Sequence, residues 1–447
     1  MKISIITVFP ELYEAFIGHS IIARAVEQKI ISFDLIRLSD VCAPKERIDE
    51  PACGHGVGMI LKPEVIERAI ELCENRSGKG FKIFFSPQGK VLTQNKLKLL
   101  AQQFLHKAPD QGQETVTSSQ GNHIILVCGR YEGIDTRVER YYADLLLSIG
   151  DYVLMGGDIP AQVFLEGFLR LIPGVVGKQE SVEKESFEAG FLDHPAYGLP
   201  VEWKGFSIPD VVRSGNHKAL AQWRQSAAAE KTVKTRFDWF SQSNPTAECI
   251  ELARTFVPPH YVAIMHTQVV LKGGAIGNTS IPSVDIHDIA RSCATYGIKN
   301  FFIVSPLEDQ QSIVKTFLDF WNSEDGKKYN ANRQNAISRV IQAYSYDKMI
   351  ESIKNKEGVA PIIVTTSAKE HGLTKKIDYF SQQEVWQTGK PVLMLFGTGQ
   401  GLCNEILDKS DYLLVPISGM TNYKHLSVRS AASIILDRWL GLNPKLT

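Results

Sequence analysis

The same local pattern occurs twice in this chain. In the first copy, an apolar stretch ends in a glycine turn at Gly129, and a second apolar stretch follows around Ile149. In the second copy, the corresponding residues are Gly397 and Ile417. Each copy ends in a glycine loop and a long amphipathic helix, predicted at 161–171 and 427–440. A strand that ends in glycine lets a ligand approach bare backbone, because no Cβ blocks it and unusual φ values cost little. The repeat therefore predicts two ligand-binding α/β units in tandem.

Strand-like and helix-like segments alternate before each glycine turn. The strands are predicted at 3–9, 32–37, 81–86 and 124–128 in the first half, and at 260–270, 300–304 and 360–365 in the second, with helices between them, the first at 12–28. Such alternation indicates parallel sheets with helices on their faces. The length of 447 residues suggests two or three domains, at about 150 residues each. The pair Pro258-Pro259 predicts a domain boundary between the halves.

The balance of charge limits where a nucleic acid could bind. The chain has 49 basic and 49 acidic residues, which excludes a binder that is basic over its whole surface. Between 202 and 238, however, seven Lys and Arg side chains stand against four acidic ones, with Trp203, Phe206 and Trp223 among them. This mixture favours a local surface that contacts RNA. The alternative is an ordinary solvated helix face.

Several other functional classes are not indicated. The seven cysteines are scattered without a C-x-x-C pair, so neither a disulfide framework nor a zinc ribbon is expected, and a reducing cytoplasm fits best. No apolar stretch approaches the roughly 20 residues that span a bilayer, so we expect no membrane association. No G-x-G-x-x-G follows the first strand, and the P-loop and H-E-x-x-H motifs are absent, which argues against a nicotinamide enzyme and a P-loop NTPase.

The first half carries a series of short motifs. They are Phe9-Pro-Glu11, Arg47-Ile-Asp49, Gly56-Val-Gly-Met59, Ser86-Pro-Gln-Gly89, Cys128-Gly-Arg-Tyr-Glu-Gly-Ile-Asp135, Ser148-Ile-Gly-Asp-Tyr-Val-Leu154, Gly156-Gly157, Arg170-Leu-Ile-Pro-Gly-Val175, Leu192-Asp193 and Ser214-Gly-Asn-His217. In this order they resemble the bacterial tRNA (guanine-N1)-methyltransferase family, in the SPOUT class of knotted methyltransferases. The resemblance covers residues 1 to about 245. This sequence departs from the family pattern in the loop 49–58, where Ala52, Cys53 and His55 stand in place of the usual Pro-Tyr and glycines.

The resemblance implies a reaction, a fold and a cofactor. The family methylates N1 of guanosine 37 in the anticodon loop of tRNA, works as a homodimer and takes S-adenosylmethionine as methyl donor; Mg²⁺ is carried as an optional second cofactor. It implies that a deep trefoil knot holds the adenosylmethionine. The residues that would wrap it are Pro87, Gly129, Tyr131, Ile149, Gly150, Asp151, Tyr152, Val153, Leu154, Gly156 and Gly157.

The resemblance also assigns catalytic and RNA-binding residues. Asp193 matches the aspartate that removes the proton of guanine N1, and Arg170 matches a residue that stabilises negative charge on O6. Arg130 and Glu132 would orient these groups. Asp49, His217, Lys218 and Arg224 are expected to contact RNA. The polar segment 177–190 would act as a linker or as a lid over the extruded guanine.

The second half resembles a smaller SPOUT family of adenosylmethionine-dependent RNA methyltransferases without an assigned target. The matching motifs are His260-Tyr-Val262, Asp285-Ile-His-Asp-Ile-Ala-Arg291, Phe396-Gly-Thr-Gly399 and Asn422-Tyr-Lys-His-Leu-Ser-Val-Arg-Ser-Ala431. They imply cofactor contacts at Gly397, Gly399, Ile417, Leu426 and Ser427, with Arg291 or Arg429 on a phosphate. The alternative is a domain that binds cofactor or RNA without methylating anything.

These observations predict an α/β protein with two SPOUT-type parallel-sheet domains, each with a trefoil knot, around a small helical RNA-binding domain. The expected division is a methyltransferase domain at 1–176, a linker or lid at 177–195, a helical domain at 196–250 and a second methyltransferase domain at 258–447. Two other functions remain open for the whole chain. One is a ribose 2′-O-methyltransferase, and the other is a noncatalytic RNA-binding protein in which both knots serve as dimerisation scaffolds.

Overall fold

A computed structural model describes residues 1–54, 58–105, 122–177, 185–188, 190–368, 372 and 375–443. Its internal contacts divide the chain into two compact units, Met1–Ala189 and Gly190–Leu446. The division falls inside the predicted linker and not at Pro258-Pro259. The predicted four-part domain organisation stays a prediction. His55 and Gly56 of the divergent loop, the polar stretch 106–121 and most of the predicted lid (178–184) lie outside the described residues.

The first unit is built on a five-stranded sheet with the order β2-β1-β6-β5-β7. Its strands are β1 (Lys2–Thr7), β2 (Ser32–Arg37), β5 (Phe81–Val91), β6 (His123–Val127) and β7 (Leu145–Ser148), with a separate hairpin of β3 (Asp49–Pro51) and β4 (Met59–Leu61). Its helices are α1 (Glu11–Ile17), α2 (Ser20–Glu27), α3 (Pro63–Ser77), α4 (Gln94–Leu105), α5 (Thr136–Tyr142) and α6 (Asp158–Leu169). All pairs within the five-stranded sheet are parallel.

The second unit begins with a small hairpin, β8 (Glu202–Trp203) and β9 (Phe206–Ser207), and three helices, α7 (Asp210–Arg213), α8 (His217–Gln242) and α9 (Ala247–Arg254). Its later strands are β10 (His260–Met265), β11 (Val269–Val270), β12 (Ile276–Gly277), β13 (Asn300–Val304), β14 (Val340–Ala343), β15 (Ile362–Thr366), β16 (Lys376–Ile377), β17 (Val392–Gly397) and β18 (Tyr412–Leu414). The later helices are α10 (Ser283–Thr295), α11 (Glu308–Asn322), α12 (Glu324–Tyr329), α13 (Ala331–Ile337), α14 (Tyr346–Glu357), α15 (Gln382–Trp386), α16 (Asn404–Asp408) and α17 (Val428–Leu440). The seven-stranded sheet has the order β14-β13-β10-β17-β15-β18-β16.

The two sheets share one topology. The order β2-β1-β6-β5-β7 of the first unit corresponds strand by strand to β13-β10-β17-β15-β18 of the second. In each sheet, the strand that ends in the repeated glycine turn lies between two strands that precede it in the chain. The repeat seen in the sequence is therefore a repeat of the whole sheet, and the predicted α/β class with parallel sheets is confirmed.

Both faces of each sheet are covered, as continuous apolar strands require. On β1, Ile5 faces the core that contains Phe164 of α6, whereas Ile6 faces the core that contains Ile70 of α3. Two predicted elements are broken where the sequence has turn residues. The helix predicted at 12–28 splits at Gly18 and His19, and the strand predicted at 260–270 ends at Met265 before the short β11.

Helix α8 is built into the core of the second unit. Its buried residues Val233, Phe237 and Phe240 belong to the same apolar cluster as Trp386 and Trp439. The rings of Phe237 and Trp386 lie 4.8 Å apart, edge to face. The helical segment and the second α/β sheet therefore form one packed body within this unit.

Candidate functional site

The glycine loops of the first unit touch through bare backbone. The amide of Gly157 donates a hydrogen bond to the carbonyl of Gly129, at 2.8 Å. A Cβ added to Gly157 would lie 2.9 Å from the Cα of Cys128, and one added to Gly156 would lie 3.0 Å from the Gly129 carbonyl oxygen. Real Cβ atoms do not approach backbone as closely as one on Gly157 would, so this position requires glycine, and the contact at Gly156 is tight enough to favour it. Gly129, Gly156 and Gly157 are thus brought together, as the sequence predicted.

A second loop arises where β5 interrupts its pairing with β7. The register shifts between Phe85 and Lys90, which leaves Ser86-Pro-Gln-Gly89 as a bulge with Pro87 exposed. A Cβ on Gly89 would lie 2.5 Å from the carbonyl carbon of Leu147. The bulge therefore lies directly against β7, whose end leads into the next predicted contact loop.

The loop after β7 carries the remaining predicted cofactor contacts of the first unit: Ile149, Gly150, Asp151, Tyr152, Val153 and Leu154. Gly150 has a φ of +150°, and the Ser148 hydroxyl donates to its carbonyl at 3.1 Å. The side chains of Tyr152 and Val153 are 56% and 91% exposed. Tyr131, in the loop after β6, has a φ of +60° and is also exposed. This edge of the sheet therefore presents large apolar side chains to the outside of the unit.

A buried polar network lies behind these loops, and the sequence reasoning missed it. The Thr7 hydroxyl donates to the carboxylate of Asp158 at 2.5 Å, and the Tyr13 hydroxyl lies 3.3 Å from the same oxygen and 3.2 Å from the sulfur of Cys128. Burial raises the pKa of both the Tyr13 hydroxyl and the Cys128 thiol, so both stay protonated. The network joins the end of β1 to the start of α6. An Asp directly after Gly156-Gly157, in the first turn of a helix, was the available signal.

The two predicted catalytic residues lie in different compact units. Arg170 follows α6 and forms an ion pair of 2.6 Å with Glu185. Asp193 precedes α8, which holds its segment: the amide of Leu192 donates to the Thr232 hydroxyl at 2.8 Å, and Lys231 Nζ donates to the carbonyl of Asp193 at 3.1 Å. The Asp193 side chain is half exposed. Neither unit alone brings the two side chains together.

The residues predicted to contact RNA fall into two groups. His217, Lys218 and Arg224 are exposed on α8. Asp49 is buried and accepts a hydrogen bond from Arg47 Nε at 3.0 Å, so its contact with RNA stays a prediction without support from its exposure. The motif around His217 also has a local structural role, because the Asn216 side chain accepts from the Ala219 amide at 3.1 Å and caps α8.

The second unit contains a cavity of about 710 Å³ at the carboxyl ends of β17 and β18. All five predicted contacts line it: Gly397, Gly399, Ile417, Leu426 and Ser427. Gly399 has a φ of +61°, and a Cβ there would lie 2.7 Å from the carbonyl oxygen of Val270. The Ser427 side chain caps α17 by accepting from the Ser430 amide. The cavity thus forms where a glycine turn, a strand end and a helix start converge.

Asp285 and the buried His266 are two polar residues of the cavity wall. Arg429 donates to the carboxylate of Asp285 at 2.9 Å. His266 is almost fully buried, and burial lowers its pKa to about 4, against the opposing effects of the Asp285 charge and the Ser280 backbone. Arg429 also lines a neighbouring open groove of about 440 Å³ together with Arg291. The two arginines predicted to bind phosphate therefore lie in one groove beside the cavity.

The described residues offer no support for the Mg²⁺ expectation. Among them, no group of three or more His, Cys, Asp or Glu side chains is arranged to hold a metal ion. Within the same residues, every helix is too short or too polar to cross a membrane. All seven cysteines are free thiols.

Comparison with known proteins divides the chain into two parts between residues 242 and 259. Residues 1–105 and 107–242 match the family model described as tRNA (Guanine-1)-methyltransferase TrmD. Residues 259–441 match a model described as SAM-dependent RNA methyltransferase.

Individual relatives show the same division. A tRNA (guanine-N(1)-)-methyltransferase of Nitratidesulfovibrio vulgaris is 35% identical over 447 residues, covering 99% of each chain. One of Oleidesulfovibrio alaskensis is 31% identical with the same coverage. One of Thermotoga petrophila is 40% identical over 241 residues, which are 54% of this chain and 90% of its own. The first half thus nearly equals a complete relative, while the two-part arrangement extends over the whole length of others.

Proposed function

The chain belongs to the tRNA (guanine-1)-methyltransferase family, and on that premise we propose that it transfers a methyl group from S-adenosylmethionine to N1 of guanosine 37 in tRNA. The observation that carries this proposal is the convergence of the loops after β6 and β7 on bare glycine backbone, within the residues that match the family model. We further propose that the protein acts in the cytoplasm as a homodimer. In each α/β unit, the loops would form a trefoil knot of the SPOUT class.

The loops of the first unit fit the methyl donor. A cradle that excludes Cβ atoms at Gly156 and Gly157 suits a flat adenosine bound by backbone groups, and Tyr131, Tyr152 and Leu154 offer apolar surface beside it. When bound, S-adenosylmethionine supplies an electrophilic methyl group on a sulfonium. The buried network around Asp158 would hold the cradle in shape, because it fixes the start of α6 against β1 and Cys128.

The proposed roles of Asp193 and Arg170 follow from the chemistry of guanine. N1 carries a proton at neutral pH, and its lone pair becomes available only when a base takes that proton. Asp193, half exposed on a segment held by α8, would accept it. Arg170 would donate to O6, where negative charge develops, after leaving Glu185.

Replacing Asp193 by Asn tests the central step. We expect single-turnover methylation of a tRNA transcript carrying G37 to fall by about 100-fold or more, because the amide cannot accept the N1 proton. Binding of tRNA and of S-adenosylhomocysteine should change little. Asp210→Asn, in the same unit but paired with Arg213 on the surface, is the matched control. A loss of less than tenfold would mean that Asp193 is not the base, and nucleoside mass spectrometry showing 2′-O-methylation would exclude the N1 reaction itself.

We also propose that residues 259–441 form a second adenosylmethionine-dependent RNA methyltransferase site, supported by the cavity that Gly397, Gly399, Ile417, Leu426 and Ser427 line. Calorimetry of the full chain with S-adenosylhomocysteine should then find two sites per chain. Gly399→Val should remove one of them, since its Cβ would press on the Val270 carbonyl at a positive φ. Gly358→Ala, also at a positive φ but in open space, should keep both. If the parent chain binds at a single site and Gly399→Val leaves that site intact, this half of the proposal is refuted.

A further inference from the structure

The imidazole of His266 has one nitrogen that its surroundings leave unused. His266 follows β10, is 1% exposed and lines the 710 Å³ cavity. Its Nδ1 lies 3.0 Å from the Thr279 hydroxyl. Its Nε2 is buried and has no hydrogen-bond partner among the described residues. A buried polar atom without a partner destabilises a protein unless something else supplies the missing bond.

The hydrogen bonds around His266 determine which nitrogen carries the proton. The Thr398 hydroxyl donates to the carbonyl of Met265 at 2.8 Å, which uses its only proton. The Thr279 hydroxyl, 2.6 Å from the Thr398 oxygen, must therefore be the donor in that pair. Having used its own proton, Thr279 can only accept from His266, so Nδ1 carries the hydrogen. Nε2 then holds a free lone pair and is an acceptor.

The protonation state of the ring is consistent with this assignment. Burial lowers the pKa of His266 to about 4, so the imidazole is neutral near pH 7. Asp285, which also lines the cavity, accepts from Arg429 at 2.9 Å. If the ring reversed its donor and acceptor atoms, one hydrogen bond of the hydroxyl chain behind it would be lost, either Thr398 to Met265 or Thr279 to Thr398.

We propose that His266 Nε2 is a recognition acceptor of the second site and binds an N–H or O–H donor of the ligand that fills the cavity. This inference rests on the proposed methyltransferase function of residues 259–441. Two ligands carry such a donor: the adenosine part of the methyl donor, through its amino or ribose groups, and the nucleoside that accepts the methyl group. In either case, the bond satisfies the buried acceptor and selects ligands with a donor at that position.

The test uses the full chain and three substitutions. His266→Phe removes the acceptor and keeps a flat ring, while His266→Gln restores an acceptor oxygen near the position of Nε2. His287→Phe is the matched control, because His287 also has an unpartnered buried nitrogen among the described residues but packs on Phe317 and Trp321 and does not line the cavity. Thermal unfolding shows that each variant is folded. The probes are S-adenosylhomocysteine and, in its presence, the four ribonucleoside 5′-monophosphates.

The binding event to follow is the one that Gly399→Val abolishes. If the donor belongs to the cofactor, His266→Phe should weaken S-adenosylhomocysteine at that site by about tenfold, with partial recovery in His266→Gln. If it belongs to the methyl acceptor, cofactor affinity stays constant and a nucleotide that binds the parent chain loses about tenfold instead. The proposal is overturned if neither affinity changes. If no binding to the parent chain is lost in Gly399→Val, the second site itself does not exist, which is a failure of the proposed function and not of the role of His266.

A second measurement does not depend on a variant folding. In the parent chain labelled with ¹⁵N-histidine, the resonance of the unprotonated His266 Nε2, assigned by its absence in His266→Gln, should shift when the cavity ligand binds. An unchanged resonance at saturation with every probe that binds this site contradicts the proposal.

Discussion

At the scale of single residues, His260 shows how one side chain organises the core of the second unit. Its Nδ1 lies 2.7 Å from the carbonyl of Pro258, which can only accept, so Nδ1 carries the proton. Its Nε2 accepts from the indole N–H groups of Trp386, at 3.2 Å, and Trp439, at 3.1 Å. Burial lowers the pKa of His260 to about 4. The ring is thus held neutral as the shared partner of two buried indoles.

This arrangement predicts a loss of stability in mild acid. The unfolded histidine has its ordinary pKa of about 6.5, whereas the pKa of the folded one is lowered to about 4, so the unfolded state binds more protons in between. The stabilisation is complete above pH 6.5 and is lost as the pH falls towards 4. Each such histidine contributes a slope of up to about 1.4 kcal/mol per pH unit, and His266 shifts in the same direction.

Tryptophan fluorescence can measure this slope selectively, because all six tryptophans lie after residue 189. In the parent chain, the tryptophans should report an unfolding transition whose free energy decreases as the pH is lowered from 6.5 to 4.5. His260→Gln should lower stability at pH 7.5 but reduce the slope by the share of one histidine. A variant with the parent's slope would show that His260 is not the group that titrates.

At the scale of elements, the two halves of α8 differ in their exposure. Val233 and Phe237 are buried, while Lys218 and Arg224 are exposed near its N-terminal half. Arg224→Glu should weaken tRNA binding several-fold, and the dependence of log affinity on log salt should lose about one unit of slope. Affinity for S-adenosylhomocysteine should not change. The control is Lys328→Glu, which reverses an exposed charge on α12. Equal tRNA affinity of the two variants would show that Arg224 lies on a solvent-exposed surface that does not contact tRNA.

The same elements explain what the sequence could predict. The sequence predicted the glycine turns at Gly129 and Gly397 in the right places. A Cβ on Gly397 would lie 2.6 Å from the amide nitrogen of Leu402, which requires glycine, whereas one on Gly129 would meet only the Ile134 side chain at 3.5 Å. The ends of elements were less accurate where local turns intervene, as at Gly18 and after Met265. The network of Tyr13, Cys128 and Asp158 could not be predicted, because its members are far apart in sequence and each has an ordinary local role.

At the scale of the whole molecule, α8 packs on residues that follow the boundary predicted at Pro258-Pro259, within the second unit. The Gln387 side chain donates to the carbonyl of Lys234 in α8 at 3.2 Å, and the Asn443 amide donates to the carbonyl of Ser241 at 2.8 Å. The helix that carries the proposed tRNA surface and the second α/β sheet are thus one folding unit, although a relative such as that of Thermotoga petrophila has little chain beyond the first half. The sequence predicted a separable boundary because two prolines interrupt local structure, and local signals carry no information about which distant surface a helix covers.

Two fragments distinguish these views. Residues 190–447 keep α8 with its partners, and this fragment should unfold cooperatively with the midpoint of the tryptophan-reported transition of the full chain. Residues 258–447 uncover the apolar surface that Val233, Phe237 and Phe240 bury. Each large apolar side chain contributes about 1.5–3 kcal/mol when buried, so this shorter fragment should lose at least about 3 kcal/mol or aggregate. Urea unfolding followed by fluorescence measures both. Equal stability of the two fragments would show that α8 only rests on the second sheet, and the two halves would then be separable at Pro258-Pro259 after all.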